Sequence, residues 1–259
     1  MSGMLAPEVL VLGASGRVGE GVVAALLEAG SPVLAVGRDS RRLERLVDLH
    51  PGEPALQLLR GSVANDRDAA RLAGRVMQRP RPLRAIVDAV GGRPRSGRLL
   101  DLPSAWLRRS LDTDLLPHLV AARHLLPLLG SASRYVLIGG PQAECGWSGY
   151  GHASISGAAL RMLAKVLHSE AQPLGVHVRL LAVDSPVWTA ENAAHACASW
   201  PSALAVGRNV VSLLAGQGDA GRCMVAYSAP GAVPPRRLLA GDAIAPLQLP
   251  GAPGSGKAA

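Results

Sequence analysis

The chain has 259 residues, of which 48% are hydrophobic and 18% charged, as in folded globular proteins. This length suits one α/β domain whose sheet is covered on both faces. The net charge is +8 and comes almost entirely from arginine, but the arginines are scattered and no helix-turn-helix or zinc-finger pattern accompanies them, which argues against nucleic acid as a partner.

The cysteine count and the apolar runs indicate in which compartment of the cell the protein resides. The three cysteines are far apart and odd in number, which predicts neither a disulfide framework nor a metal site. No apolar run reaches the roughly 18 residues of a membrane span, and the N-terminus lacks the pattern of a signal peptide. We therefore expect a cytoplasmic protein that does not engage a membrane.

Short apolar runs alternate with helical stretches along the chain. The predicted strands are 8–12, 32–36, 55–59, 83–89, 135–138, 176–183 and 223–227. The predicted helices are 17–28, 40–49, 69–77, 103–129, 154–171 and 203–214, with a short helix and loop up to residue 199. This order predicts a single-domain Rossmann-type fold, a doubly wound parallel sheet of about seven strands with helices on both faces. We expect the domain to span 1–228 with a lid at 187–199, followed by a tail over 229–259 rich in Pro, Gly and Ala.

A glycine-rich turn follows the first predicted strand and opens the first helix. In a dinucleotide site, the first glycine permits a tight turn, the second lets the backbone approach the pyrophosphate and the third lets the helix pack on the strand. The helix N-terminus then offers free N–H groups to the phosphates. This context predicts a dinucleotide site rather than a structural turn. The expected cofactor contacts here are Gly13, Ser15, Gly16, Arg17, Val18 and Gly19.

The end of the second strand bears on the choice of cofactor. An NAD site usually has an acidic residue here, which accepts a hydrogen bond from the ribose 2′-hydroxyl. Arg38 stands in that neighbourhood, with Arg41 one turn later and Arg17 in the glycine-rich turn. Because guanidinium groups match a 2′-phosphate, the sequence favours NADP(H) over NAD. Asp39 is the competing signal, although its place beside Ser40 also suits a helix cap.

The order of these elements resembles that of the short-chain dehydrogenase/reductase (SDR) family over residues 8–228. Besides the glycine-rich turn, the matching motifs are Val87-Asp88-Ala89-Val90-Gly91, Leu126-Pro127, Leu163-Ala164 to Glu170, Gly175-Val176-His177-Val178 and Pro186-Val187-Trp188-Thr189. The resemblance implies cofactor contacts from Ala89, Val90 and Gly91. It also implies contacts of Val187 and Thr189 with the nicotinamide carboxamide.

Two further expectations come from the same resemblance. Ser62 and Val63 are expected cofactor contacts, because they follow the third strand, where the family usually carries an acidic residue against the adenine. The family's two long helices form an interface between subunits, which implies a homodimer or homotetramer.

The family's catalytic residues are a Tyr-x-x-x-Lys pair, a Ser about thirteen residues before the Tyr and an Asn in the preceding long helix. Counting from the matching motifs places Ala153 at the Tyr position, Gly157 at the Lys position and Gly140 at the Ser position. Asp114 falls at the Asn position. No tyrosine of the chain has a lysine four residues later. The resemblance therefore implies a divergent member that lacks the Ser-Tyr-Lys residues.

Other side chains near the expected pocket are candidates to replace the missing catalytic residues. Tyr150 or His152 is a candidate general acid, and Asp114 is a third candidate catalytic residue. The competing interpretation is that His152 starts a helix and Asp114 replaces the Asn structurally.

Two hypotheses for the function follow. The first is a diverged enzyme that binds NADP(H) and acts on a small organic substrate, by a non-standard reduction or by a non-redox cyclisation, isomerisation or elimination. The second is a catalytically silent, NADP(H)-responsive binding or regulatory protein. Trp188 and Trp200 in or beside the predicted lid favour a small-molecule pocket.

Overall fold

A computed structural model of the chain describes residues 8–80, 82–92, 95–189, 192–216 and 221–227. Its strands, all parallel, are β1 (Val9–Leu12), β2 (Val33–Gly37), β3 (Leu56–Arg60), β4 (Ala85–Asp88), β5 (Arg134–Gly139), β6 (His177–Ala182) and β7 (Met224–Ala226). They form one sheet in the order β3-β2-β1-β4-β5-β6-β7. The predicted doubly wound fold is confirmed, whereas the predicted tail lies outside the described residues.

Seven α-helices cover the two faces of the sheet in the described part of the chain. They are α1 (Arg17–Glu28), α2 (Ser40–Leu49), α3 (Asp66–Met77), α4 (Ser104–Asp114), α5 (Leu116–Leu125), α6 (Gly151–Ala171) and α7 (Ala203–Leu214). Successive strand residues point to opposite faces, so one set of β1 side chains packs with α3, α5 and α6 and the other with α1, α2 and α7. Strands buried on both faces explain the continuous apolar runs of the sequence.

Helices α1 and α7 pack backbone to backbone through two glycines. A Cβ on Gly21 would overlap the carbonyl of Ala203, and a Cβ on Gly207 would overlap the carbonyl oxygen of Gly21. Because α1 carries the glycine-rich turn at its start, this close packing also holds the turn against the sheet.

The continuous helix predicted over 103–129 is wrong. The chain forms α4 and α5, which are interrupted at Leu115, and a 3-10 turn follows at Leu126–Leu128. Pro117 lies in the first turn of α5. Proline has no N–H, and its ring collides with the carbonyl four residues earlier, so the helix cannot run through it unbroken.

Other boundaries differ by smaller amounts. Helix α6 begins three residues earlier than predicted, at Gly151, and α3 begins at Asp66 instead of residue 69. The start of α3 is set by Asn65, whose side chain accepts a hydrogen bond from the Asp68 N–H at 2.9 Å.

Among the helices of the described ranges, none combines the length and the apolar character that a membrane crossing requires. The cytoplasmic location stays a prediction.

Candidate cofactor and substrate site

The turn between β1 and α1 has no room for side chains at two of its glycines. Gly13 adopts a φ of +69°, and a Cβ there would lie 2.6 Å from the Ala89 carbonyl oxygen. A Cβ on Gly19 would overlap the carbonyl oxygen of Gly13. At Gly91, by contrast, a Cβ would meet open space. The turn is therefore pressed against the end of β4 and faces a vacant volume beside Gly91.

The N-terminus of α1 points its backbone donors toward the same volume. Gly16 is the N-cap residue, it has no side chain to cap the helix, and its own N–H donates to the Gly13 carbonyl at 2.8 Å. Uncapped N–H groups and the positive end of the helix dipole make a good site for a phosphate group. This geometry fits the pyrophosphate of a dinucleotide.

One continuous cavity of about 1030 Å³ starts at this turn. Nine predicted cofactor residues lie on its wall: Gly13, Ser15, Gly16, Arg38, Ser62, Val63, Ala89, Val90 and Gly91. Two candidate catalytic residues, Asp114 and His152, are also on the wall. The wall does not include Arg17, Val18, Gly19, Val187, Thr189, Tyr150, Gly140, Ala153 or Gly157.

Three arginines line the end of the cavity formed by β2, β3 and α2. Arg38 was predicted there, but Arg42 and Arg60 were not. The strand register places Arg60 beside Arg38, because Arg60 pairs with Gly37. The Arg60 Nε then donates to the Arg38 carbonyl at 3.3 Å. Asp39 accepts from the Arg42 N–H at 3.3 Å as the N-cap of α2, which is the capping role considered for it.

The backbone after β4 is held by two carboxylates. Asp88 Oδ1 accepts from the Val90 N–H at 3.2 Å, and Asp114 Oδ1 accepts from the Gly92 N–H at 2.9 Å. These bonds position the segment 89–92, which forms the middle of the cavity wall. Asp114, which the sequence count assigns to the family's Asn position, therefore has a structural role here.

Asp88 belongs to a buried polar cluster that the sequence analysis missed. The Asp88 carboxylate has no exposed surface, and its Oδ2 lies 2.9 Å from His118 Nδ1 and 3.1 Å from the Tyr135 hydroxyl. Burial by itself lowers the pKa of His118, but the charge and hydrogen bond of Asp88, together with the charge of Asp114, outweigh it and leave that pKa raised. Burial, and then the charge of Asp88, raises the pKa of Tyr135 well above its usual value. The one sign of this cluster in the sequence is Asp88, a charged residue at the end of an apolar strand.

His152, Trp106 and Arg95 form the other end of the cavity. His152 is buried and meets the edge of the Trp106 ring, with the two centroids 6.5 Å apart. The guanidinium carbon of Arg95 lies 6.0 Å from the Trp106 ring centroid. The Nδ1 atom of His152 is buried and has no hydrogen-bond partner in the described part of the chain. Such an orphaned buried atom is unusual and requires an explanation.

Two serines connect this end of the cavity to Asp114. The Ser156 and Ser110 hydroxyls lie 3.0 Å apart, and Ser110 donates to Asp114 Oδ2 at 2.9 Å. Ser156 is one turn after His152 in α6, so α4 and α6 are joined by polar contacts beside the imidazole.

A short 3-10 turn, Pro141–Ala143, lies next to the positions that the sequence count assigns to the family's catalytic Ser and Lys, Gly140 and Gly157. Gly140 caps this turn, and a Cβ on Gly157 would lie 2.9 Å from the Cβ of Ala143. Ala153 is buried. The turn thus packs directly on α6 where the family's lysine would begin.

Tyr150 immediately precedes α6, outside the cavity wall. Its ring meets Trp147 edge-on with the centroids 6.4 Å apart. The structure therefore brings His152 and Asp114 to one cavity and places Tyr150 elsewhere.

The segment after β6 is ordered by Asn192. Its side chain accepts from the Thr189 N–H at 2.8 Å and donates to the Val187 carbonyl at 2.9 Å. The Thr189 hydroxyl is buried and lacks a partner among the described residues. Thr189 does not reach the cavity wall, so its contact with the nicotinamide carboxamide, which the resemblance implies, stays a prediction. In the described ranges, no group of His, Cys, Asp and Glu side chains is arranged to hold a metal ion.

Comparisons with known proteins agree on the fold. A family model described as enoyl-(acyl carrier protein) reductase matches residues 13–212. No curated protein matches the chain. A short-chain dehydrogenase from Streptomyces avermitilis is 21% identical with a TM-score of 0.71, and the match covers 86% of this chain and 89% of that one.

Two further solved structures are similar over most of their length. The protein ElxO with NADP bound is 15% identical, with 86% and 97% of the two chains covered and a TM-score of 0.76. A short-chain oxidoreductase from Pseudomonas aeruginosa PAO1, described as containing an atypical catalytic center, is 18% identical, with 86% and 96% covered and a TM-score of 0.73. At these identities the structural likeness shows a shared fold.

Proposed function

The chain belongs to the SDR family, and on that premise we propose that it is a diverged enzyme that binds NADP(H) and acts on a small organic substrate without the family's Ser-Tyr-Lys residues. The observation that carries the proposal is the continuous cavity that joins the glycine-rich turn to the unpartnered His152. The part of that cavity beyond the glycine-rich turn would hold the nicotinamide half of the cofactor and, beside His152, a small substrate.

The phosphorylated cofactor is supported by the arginines at the β2–β3 end. Arg38, Arg42 and Arg60 line that end together with one acidic residue, Asp39, whose Oδ1 caps α2. A 2′-phosphate carries close to two negative charges and takes bidentate hydrogen bonds from guanidinium groups. NADP(H) gains these contacts, whereas NAD(H) lacks the group that would use them.

Arg42 and Arg41 are neighbours that allow a matched test of this preference. Arg42 lines the cavity, whereas Arg41, also exposed on α2, does not. Arg42→Met should weaken NADPH binding by about tenfold and leave NADH binding unchanged, because a charged hydrogen bond to the phosphate is lost. Arg41→Met should change neither. Nicotinamide fluorescence measures both affinities, and equal affinity of the wild type for NADPH and NADH would overturn the NADP(H) assignment.

The proposed chemistry places the proton transfer at His152. NADP(H), when bound, would supply or accept the hydride. The imidazole of His152, which lines the cavity, would donate a proton to a substrate oxygen in a reduction, or take one from carbon in an isomerisation or elimination. Trp106 packs edge-on against its ring and restricts the orientation of the imidazole. Asp114 would act as a positioning residue, because it holds Gly92 and the Ser110 hydroxyl.

The test compares His152→Gln with Tyr150→Phe. NADPH is mixed with the protein and a panel of carbonyl compounds, and its oxidation is followed by fluorescence. His152→Gln should slow turnover by about 100-fold or more, which is the usual contribution of a general acid, and flatten the pH profile of the rate. NADPH affinity should change by less than about twofold. Turnover that survives in His152→Gln and fails in Tyr150→Phe would assign the acid to Tyr150 instead.

The second candidate is a catalytically silent protein that responds to NADP(H). It is favoured by the packing of Ala143 on Gly157, which leaves the lysine position of the family without space for a side chain. This candidate would be supported if NADPH binds tightly but is not oxidised with any compound of the carbonyl panel, and if none of these compounds is converted when NADPH is left out.

We also propose that the protein is a homodimer or homotetramer built on α5 and α6. Ile155, Met162 and Val166 are exposed along one side of α6, and Leu119 is exposed on α5. Apolar side chains at helical spacing on two neighbouring helices form a surface that a second copy of the chain would cover.

A further inference from the structure

We propose that the substrate of this cavity is a small organic anion, with a carboxylate or phosphate group held by Arg95 and Arg109. The inference rests on the proposed function, since it names the class of substrate for the same cavity. It begins with the distribution of arginines, which line the cavity in two separate groups.

The sheet order separates the two groups of arginines. Arg38, Arg42 and Arg60 come from β2, β3 and α2, on one side of β1. Arg95 and Arg109 come from the segment after β4 and from α4, on the other side of β1. A dinucleotide in such a sheet crosses the end of β1, with its phosphates at the glycine-rich turn. The first group can therefore serve the cofactor's 2′-phosphate, which leaves Arg95 and Arg109 without a cofactor anion to bind.

Arg95 is directed by its contact with Trp106. Its guanidinium lies over the indole ring, whose other neighbour is the edge of His152. The indole, the guanidinium over it and the imidazole 6.5 Å from it together form an aromatic wall with a cation beside it. A planar carboxylate on an aromatic or unsaturated body matches both features.

The carboxylates at the same end do not cancel this preference. Both oxygens of Asp114 accept hydrogen bonds, from the Gly92 N–H and from the Ser110 hydroxyl, so its charge is already stabilised locally. Asp112 also lines the cavity; it is exposed, as Arg95 and Arg109 are, so solvent screens its charge and theirs alike. Selection of an anion therefore depends on the directed donors of Arg95 and Arg109 rather than on net charge.

Three probes test the inference: benzoate, its neutral analogue benzamide, and phenyl phosphate. Affinities are measured by ligand-observed NMR titration of the full chain saturated with NADPH, which occupies the Arg60 end. Benzoate or phenyl phosphate should bind at least about tenfold more tightly than benzamide, and Arg95→Met and Arg109→Met should each remove most of that difference. The two anions together distinguish a carboxylate from a phosphate site.

Two control variants locate the effect. Arg98 lies three residues after Arg95 but outside the cavity wall, so Arg98→Met should leave the preference unchanged. Arg60→Met should also leave it unchanged, even in protein without cofactor. Equal affinity for benzoate and benzamide, a preference that persists in Arg95→Met/Arg109→Met, or no anion binding up to about 50 mM would overturn the inference. Failure of NADPH to bind would instead overturn the proposed function, and the anion preference would still be measurable.

Discussion

Replacement of His118 by Leu tests the buried cluster beneath the cofactor cavity. His118 is 1% exposed and Asp88 is 0% exposed, and their side chains meet at 2.9 Å. The substitution removes the imidazole from a carboxylate that cannot reach water and leaves it only the Tyr135 hydroxyl and the Val90 N–H. Breaking a buried pair in this way costs about 3–5 kcal/mol of the free energy of unfolding.

The same helix offers a matched control. His124 Nε2 lies 2.7 Å from Asp66 Oδ1, but this pair is on the surface, with side-chain exposures of 21% and 58%. His124→Leu should therefore cost about 1 kcal/mol or less, because solvent screens the pair and compensates its loss. The two variants compare one type of interaction at two depths.

The pH dependence gives the prediction a second measurable part. The pKa of His118 is raised above its unfolded value of 6.5 in the folded protein. Folded His118 thus keeps its proton at pH values where the unfolded chain releases it, and the folded state is favoured by that difference. The contribution is complete below pH 6.5 and is lost as the pH rises through the folded pKa, with a slope of up to about 1.4 kcal/mol per pH unit.

Urea unfolding at several pH values between about 5.5 and 8.5 measures both parts. The difference between the wild type and His118→Leu should be largest at the acidic end and shrink toward pH 8.5. A difference below about 1 kcal/mol at pH 6, or one that grows with pH, would refute a protonated His118 paired with Asp88.

Three further predictions concern packing and assembly. Gly21→Ala should destabilise the fold by about 2–3 kcal/mol in urea unfolding, because its Cβ would overlap the Ala203 carbonyl between α1 and α7. Gly157→Lys should lower the melting temperature by several degrees, because its Cβ would lie 2.9 Å from Ala143, and wild-type stability in this variant would contradict the observed packing. Met162→Glu, at a position 59% exposed on α6, should give a smaller species in light scattering coupled to size exclusion, whereas an unchanged mass would argue against an α5–α6 interface.

The glycine-rich turn shows what sequence reasoning predicts well. Its chemistry is local, because Gly13 needs a positive φ and Gly19 must approach Gly13 closely within six residues of chain. Strand and helix periodicity is local too, and it predicted the succession of strands and helices along the chain and most helix bounds. The break between α4 and α5 was missed even though Pro117 is visible in the sequence, since apolar periodicity continues across it.

The candidate catalytic residues show where sequence reasoning ends. Tyr150 and His152 are two positions apart, and at a helix start this spacing points side chains to nearly opposite sides. Only the packing of α6 against α4 decided that His152, and not Tyr150, lies on the cavity wall. In the same way, Arg60 joined the cofactor end because β3 pairs in register with β2.

By itself, the sequence determined that this chain has a Rossmann-type fold with a dinucleotide turn, because both depend on patterns within a few residues. The tertiary structure decided which distant side chains share one environment. Asp88 and His118 are thirty residues apart, yet they meet in the interior because β4 and α5 pack there. Contacts of that kind depend on how elements pack, and no local pattern in the sequence encodes the distance between them.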